Sequence, residues 1–191
     1  MPALGAKGDK GNKLQSHAWD LTPQQAKELQ LRLAEKVVLE WHEDLESSVK
    51  WVAGVDVGFE SKHLARAAVV VLSIEDLSPV DFAVARRAIE FPYVPGYLSF
   101  RECPVILDAL AQLQCQPQLL LCDGQGIAHP RRFGVACHLG VLTGIPAIGV
   151  AKSRLIGESN VLPQEKSQWV DLRDGGERIG AVLRTRDGVK P

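Results

Sequence analysis

Net charge, paired cysteines and long apolar runs are all missing from this chain. Its 22 basic and 23 acidic side chains leave a formal charge of −1 at pH 7. There is no global positive field, so a nucleic-acid ligand would have to be held by a local patch. The four cysteines, Cys103, Cys115, Cys122 and Cys137, have no CxxC spacing, which removes the usual zinc and dithiol motifs. Cys122 lies in an apolar run and Cys137 in an expected helix, where free thiols behave as small hydrophobes in a reducing compartment. No apolar stretch approaches the roughly 20 residues of a membrane span, and no hydrophobic segment of a signal peptide opens the chain. These absences lead us to expect a cytoplasmic protein without a membrane partner. Repeats and domain linkers are lacking too. What remains is 191 residues, 46% of them hydrophobic, enough to bury a single core.

Residues 1–18 are rich in glycine and lysine and read as a mobile leader, with one domain over 19–191. Thr22, Pro23 and Gln25 form a helix-start pattern, after which Ala26, Leu29, Leu33 and Val37 line one face to about Leu39. Strands are expected at 49–57, 64–73 and 79–90, the first two as a hairpin. The segment FPYVPG (91–96) cannot be regular, because its prolines fix φ and push preceding residues extended. A helix is expected from Ser99, with Pro104 tolerable only in its first turn. Then follow a buried strand at 118–123, a helix at 133–143 and a short strand at 147–150. Residues 161–176 read as mostly loop before a last strand at 177–183. Hairpin strands followed by helix–strand units indicate an α/β fold with a mixed sheet.

The chemistry collects where apolar runs end. Asp56 interrupts VAGVDVG in mid-strand, where a buried carboxylate without a partner would cost several kcal/mol. Asp123 ends LLLCD just before Gly124-Gln125-Gly126, and Glu102 falls in a first helical turn. Singly, these acids read as a structural ion pair, a turn aspartate and a dipole-favoured glutamate. Together they form an oxygen-only donor set suited to Mg²⁺ or Mn²⁺, ions that commonly act on phosphates. Arg131, Arg132, Lys152 and Arg154 follow strand ends on the same side and suit phosphate contacts, or else solvated surface charge. GQGIAH fails as a dinucleotide motif, since its third glycine position holds His129. Tyr93, in PYVP, is either packed or a stiff wedge that enters a base stack.

Four segments carry a specific resemblance: VAGVDVGF (52–59), FPYVPGYLSFRE (91–102), DGQGIAHPRRFGVACHLG (123–140) and IPAIGVAKSRLIG (145–157). In order and spacing they resemble the signature blocks of the endonuclease V family, the deoxyinosine 3′-endonucleases. The resemblance implies an RNase H-like fold, a five-stranded mixed sheet with its first three strands antiparallel and helices flanking it. It implies that Asp56, Glu102 and Asp123 bind the metal and that Lys152 lies beside the scissile phosphate. Tyr93 and Pro95 would form the wedge, and Gly96, Leu98, Gly124, Gly126 and His129 the pocket for the extruded base. The implied reaction is Mg²⁺-dependent hydrolysis, Mn²⁺ substituting, of the second phosphodiester 3′ to the deaminated base. Its substrates would be DNA containing deoxyinosine or other deaminated bases, and inosine-containing RNA, cut by a monomer.

Two features depart from the family pattern. Cys103 follows Glu102 where the family often has another residue. The sequence also stops at RTRDGVKP, before the S-x-G-H motif of the family, so a truncated chain without the last helices is expected. That missing motif keeps a second reading open, a deaminated-base binding module without turnover. An unrelated α/β metal phosphohydrolase is the third.

Overall fold

The computed structural model describes residues 17–40 and 48–190. Helix α1 (Pro23–Ala34) starts where its sequence prescribes. The Thr22 hydroxyl accepts from the Gln25 amide at 3.3 Å, and the Gln25 side chain accepts from the Thr22 amide at 2.8 Å, which satisfies two helix-start donors reciprocally. The helix ends earlier than the expected Leu39. Lys36 and Val37 donate to Leu33 and Ala34 in tighter three-residue turns, and Val37 still packs on the same core.

Strands β1 (Trp51–Ser61), β2 (Leu64–Ser73) and β3 (Pro79–Ala88) form an antiparallel meander. Helix α2 (Ser99–Leu110) leads to β4 (Leu119–Asp123), and α3 (Val135–Thr143) to β5 (Ala147–Val150). The sheet order is β3-β2-β1-β4-β5, with β4 parallel to both neighbours. This is the five-stranded mixed sheet of the expected RNase H-like α/β fold. Pro104 corrects one expectation, because it sits sixth in α2 and not in the first turn. Lacking an N–H, it cannot bond to the Phe100 carbonyl, yet the helix continues on the packing of Cys103, Val105, Ile106 and Ala109.

Strand alternation divides the sheet into two faces. Ala53, Val55, Leu120 and Cys122 point toward Val105 and Ile106 of α2 and Ala136 and Leu139 of α3, forming the main core. A second core joins Leu29 and Leu33 of α1 to Phe91, Phe100, Phe133 and Cys137. His17, a residue of the expected leader, belongs to this region: its Nε2 is 2.8 Å from Nε2 of buried His138. The rest of that leader, 1–16, lies outside the described residues.

A small antiparallel sheet, β6 (Glu158–Ser159), β7 (Trp169–Asp174) and β8 (Glu177–Leu183), packs Leu172 and Ile179 on Ala128. Strand β7 overturns the expected loop at 161–176. Only Leu172 of its residues is buried, so no apolar alternation announces it. All four cysteines are free thiols. Among the described residues no helix is long and apolar enough to cross a membrane.

Candidate active site

Parallel pairing of β1 and β4 runs from Val52 opposite Leu119 to Val55 opposite Cys122. One step further along both strands stand Asp56 and Asp123, on the face away from α2 and α3. Asp123 is itself paired with Val150, two residues before Lys152. The Lys152 ammonium donates to Asp123 Oδ2, and that carboxylate holds the lysine protonated beyond its ordinary range.

Glu102, at the start of α2, lies within electrostatic range of both acids. It is 7% exposed, and its carboxyl is pushed up to about 8, first by burial and then by the charges of Asp123 and Asp56. The structure thus reverses one expectation from the sequence. Asp56 is exposed and its Oδ1 accepts the Val57 amide at 2.9 Å, so the acid with the desolvation problem is Glu102. The sequence reading took Asp56 as buried because it interrupts an apolar run in mid-strand.

Carboxylate oxygens alone, one of them reluctant to ionise without a nearby cation, make a donor set that fits a hard divalent ion. Among the described residues, no three Asp, Glu, His or Cys side chains stand close enough together to hold one as they are. Lys152 supplies the countercharge on Asp123 instead.

The remaining expected residues divide into exposed and internal sets. Tyr93 is 74% exposed, Leu98 40%, and Pro95 is exposed as well. The Tyr93 ring lies 5.8 Å from the Arg101 guanidinium, which also faces Phe59 at 5.0 Å. Gly96, Gly124 and Gly126 are half-buried in the two loops flanking the acids. His129 is 4% exposed and spends both ring nitrogens internally, Nε2 on the Gly96 carbonyl at 3.1 Å and Nδ1 on the Arg131 amide at 3.2 Å. Burial and the Arg131 charge push its pKa down to about 4, so it is neutral at pH 7.

Two of the expected phosphate contacts, Arg131 and Arg132, have internal partners. Arg132 donates to Asp174 and Glu177 at 2.9 Å each and so ties the loop to the small sheet. Arg131 donates to Gln30 Oε1 and the Gly96 carbonyl, both at 2.6 Å, and stacks 4.4 Å from the Tyr97 ring centroid. Arg154 stays exposed.

Sequence reasoning passed over Gln30, Gly134 and Gly149. Gln30 is 1% exposed; its signal was a polar side chain within the apolar face of α1. A Cβ at Gly149 would meet Gly126 N at 2.4 Å and Gly124 O at 2.6 Å, and one at Gly134 would meet Gln125 O at 2.2 Å. These two glycines let α3 and β5 close on the backbone of the 124–126 turn. Gly149 showed the available signal, a glycine inside a strand.

A mixed sheet that sets carboxylates beside a lysine at its parallel strand ends has the layout of an RNase H-like nuclease. The chain belongs to the endonuclease V family, whose model matches residues 31–191. It is 54% identical over 178 residues to Endonuclease V of Nostoc sp., covering 93% of this chain and 80% of that relative. The crystal structure of Endonuclease V from Streptomyces avermitilis matches with a TM-score of 0.81 at 41% identity, over 91% of this chain and 76% of that one. Ciona intestinalis Endonuclease V, in complex with a 24mer DNA containing an inosine followed by a ribo-adenosine, matches with a TM-score of 0.64 at 35% identity. That match covers 71% of this chain and 59% of the Ciona protein.

Two outcomes follow from this geometry. Gly149→Ala should cost about 2–4 kcal/mol in denaturant unfolding, because the new methyl meets backbone. Gly126→Ala, whose Cβ meets nothing nearer than 3.9 Å, should stay within about 1 kcal/mol of wild type. Separately, folded Glu102 keeps its proton up to about 8 while the unfolded chain releases it near 4.5. Between these values the native state binds more protons, so this group lowers stability as pH rises. In EDTA, Glu102→Gln should exceed wild type by a few kcal/mol above the folded value and match it below the unfolded one. A pH-independent difference would contradict the assignment.

Proposed function

We propose that this chain is a repair endonuclease that hydrolyses the second phosphodiester 3′ to deoxyinosine in DNA, with Mg²⁺ as cofactor and Mn²⁺ as substitute. The observation that carries the reading is a buried Glu102, held at about 8 first by its burial and then by the charges of Asp123 and Asp56, with Lys152 on Asp123. Family membership supports nuclease chemistry, and the inosine-bearing DNA held by the Ciona protein supports inosine as the base.

Asp56, Glu102 and Asp123 would hold the ion, which when bound supplies charge for the phosphoryl oxygen and a more acidic water. Lys152 is 82% exposed at its side chain, so its ammonium can leave Asp123 for a phosphate once that carboxylate is neutralised otherwise. In the hydrolysis the water oxygen bonds to phosphorus and the P–O3′ bond breaks. The proton goes to O3′, leaving 3′-hydroxyl and 5′-phosphate ends. Tyr93 and Pro95 stand on a stiff, exposed loop and would fill the stack left by the extruded base, so little ordering entropy is lost on insertion. Gly96, Leu98, Gly124, Gly126 and His129 would surround that base.

The test is a labelled duplex with one deoxyinosine, incubated in Mg²⁺ with the full chain, beside an inosine RNA arm. A single nick, abolished by EDTA and reduced about 100-fold or more by Asp56→Ala, is expected. Intact strand with wild-type protein would overturn the reading; inosine-selective binding without a nick would replace it by a binding module. Tyr93→Ala should leave the thermal midpoint within about 2 °C, since the side chain is exposed, while lowering preference for the inosine strand. A large fall in melting temperature with unchanged preference would instead make Tyr93 a packing residue.

A further inference from the structure

One backbone oxygen gathers more donors than any turn requires. The Gly96 carbonyl accepts from Arg131 Nη2 at 2.6 Å, His129 Nε2 at 3.1 Å and Gln30 Nε2 at 3.2 Å. Gln30 comes from α1, whereas His129 and Arg131 come from the loop after β4, so three distant parts of the chain meet on one peptide plane. The same plane carries the Tyr97 amide, which donates to Val94 at 3.1 Å. Both ends of that peptide are therefore fixed, and with them the direction of the loop from Tyr93 to Leu98.

Gln30 is the hub. Its Oε1 accepts from Arg131 Nε at 2.6 Å, and its Nε2 also reaches the Phe133 carbonyl at 3.4 Å. Its amide thus orients the guanidinium, contacts one loop at Gly96 and the other at Phe133, and does so while 1% exposed. Buried polar groups of this kind are costly unless fully paired, and here every atom of the amide has a partner. A leucine would fill the same space on the apolar face of α1 without the pairing. Packing alone does not explain the glutamine.

We infer that Gln30, acting through Arg131 on the Gly96 carbonyl, is a positioning residue that sets the spacing of the two loops and with it the preference for inosine. Neither residue touches substrate in this account; the backbone they hold does. The functional half of the inference rests on the nuclease reading above, and the structural half stands without it.

Two measurements on the full chain separate them. Hydrogen exchange is compared for wild type, Gln30→Leu, Arg131→Met and the double variant. Amides of residues 94, 96–98, 129 and 131–134 should exchange about tenfold faster or more in each variant, with the β1, β2 and β4 amides unchanged. Unaltered exchange in both loops would overturn the clamp, whatever the activity. Single-turnover cleavage is then measured in Mg²⁺ on a deoxyinosine duplex and on its undamaged counterpart. The ratio of the two rates should fall about tenfold in each single variant, and the double variant should lose little more than the worse single, as one unit does.

Rates that fall equally on both substrates, or losses that multiply, would reduce Gln30 to a packing residue. If wild type fails to cut, the nuclease reading falls and the same ratio is taken from binding anisotropy of the two duplexes. No wild-type preference there would overturn the specificity role as well.

Discussion

The parallel pairing between β1 and β4 is the constraint on which the rest of this molecule hangs. It brings two acids far apart in the chain to the same row of the sheet, one step past Val55 and Cys122. The alternate residues of both strands, Ala53, Val55, Leu120 and Cys122, are at most 4% exposed and lie in the main core. A slip of one residue would exchange the two faces. It would drive Asp56 and Asp123 under α2 and α3 and bring the apolar set to solvent. Core packing and site chemistry are thus enforced by one register.

Around that register the site is built from backbone. Loop 124–129 is closed on by α3 and β5 through the missing side chains of Gly134 and Gly149. Its next residues, Ile127 and Ala128, are anchored in the second core and beneath the small sheet. Arg132 fastens it to Asp174 and Glu177. The loop of Tyr93 to Leu98 has no regular structure of its own and takes its rigidity from prolines and from hydrogen bonds at Gly96. Arg131 and Arg132, the candidate phosphate contacts, also act as struts of these loops.

Glu102 shows how placement decides chemistry. At a helix start in water the acid would be unremarkable and slightly favoured by the helix dipole. Buried first of all, and within the field of two other carboxylates, it holds its proton to about 8. Desolvation and like-charge repulsion both penalise the ionised form, and a cation relieves both. Asp56 is exposed and Asp123 is paired with Lys152, so the three acids differ in their surroundings although they looked alike in the chain.

Much of the fold was legible locally. Strands at Leu64–Ser73, Ala147–Val150 and Glu177–Leu183 and the capping box at Thr22 stand where their residues placed them, because alternation and capping are short-range properties. The signature blocks likewise pointed to the family, whose model matches residues 31–191. Strand β7 escaped notice, since its stability comes from partners on both sides and from Leu172 alone in the core. Gln30 escaped for a related reason: its three partners lie 66 to 103 residues away. By itself the sequence determined most of the elements, their order and the candidate residues for chemistry. Which acid is buried, which arginines are spent as struts and which backbone oxygen ties the loops together were decided only when the sheet closed, because burial and hydrogen-bond pairing depend on neighbours that the chain order does not name.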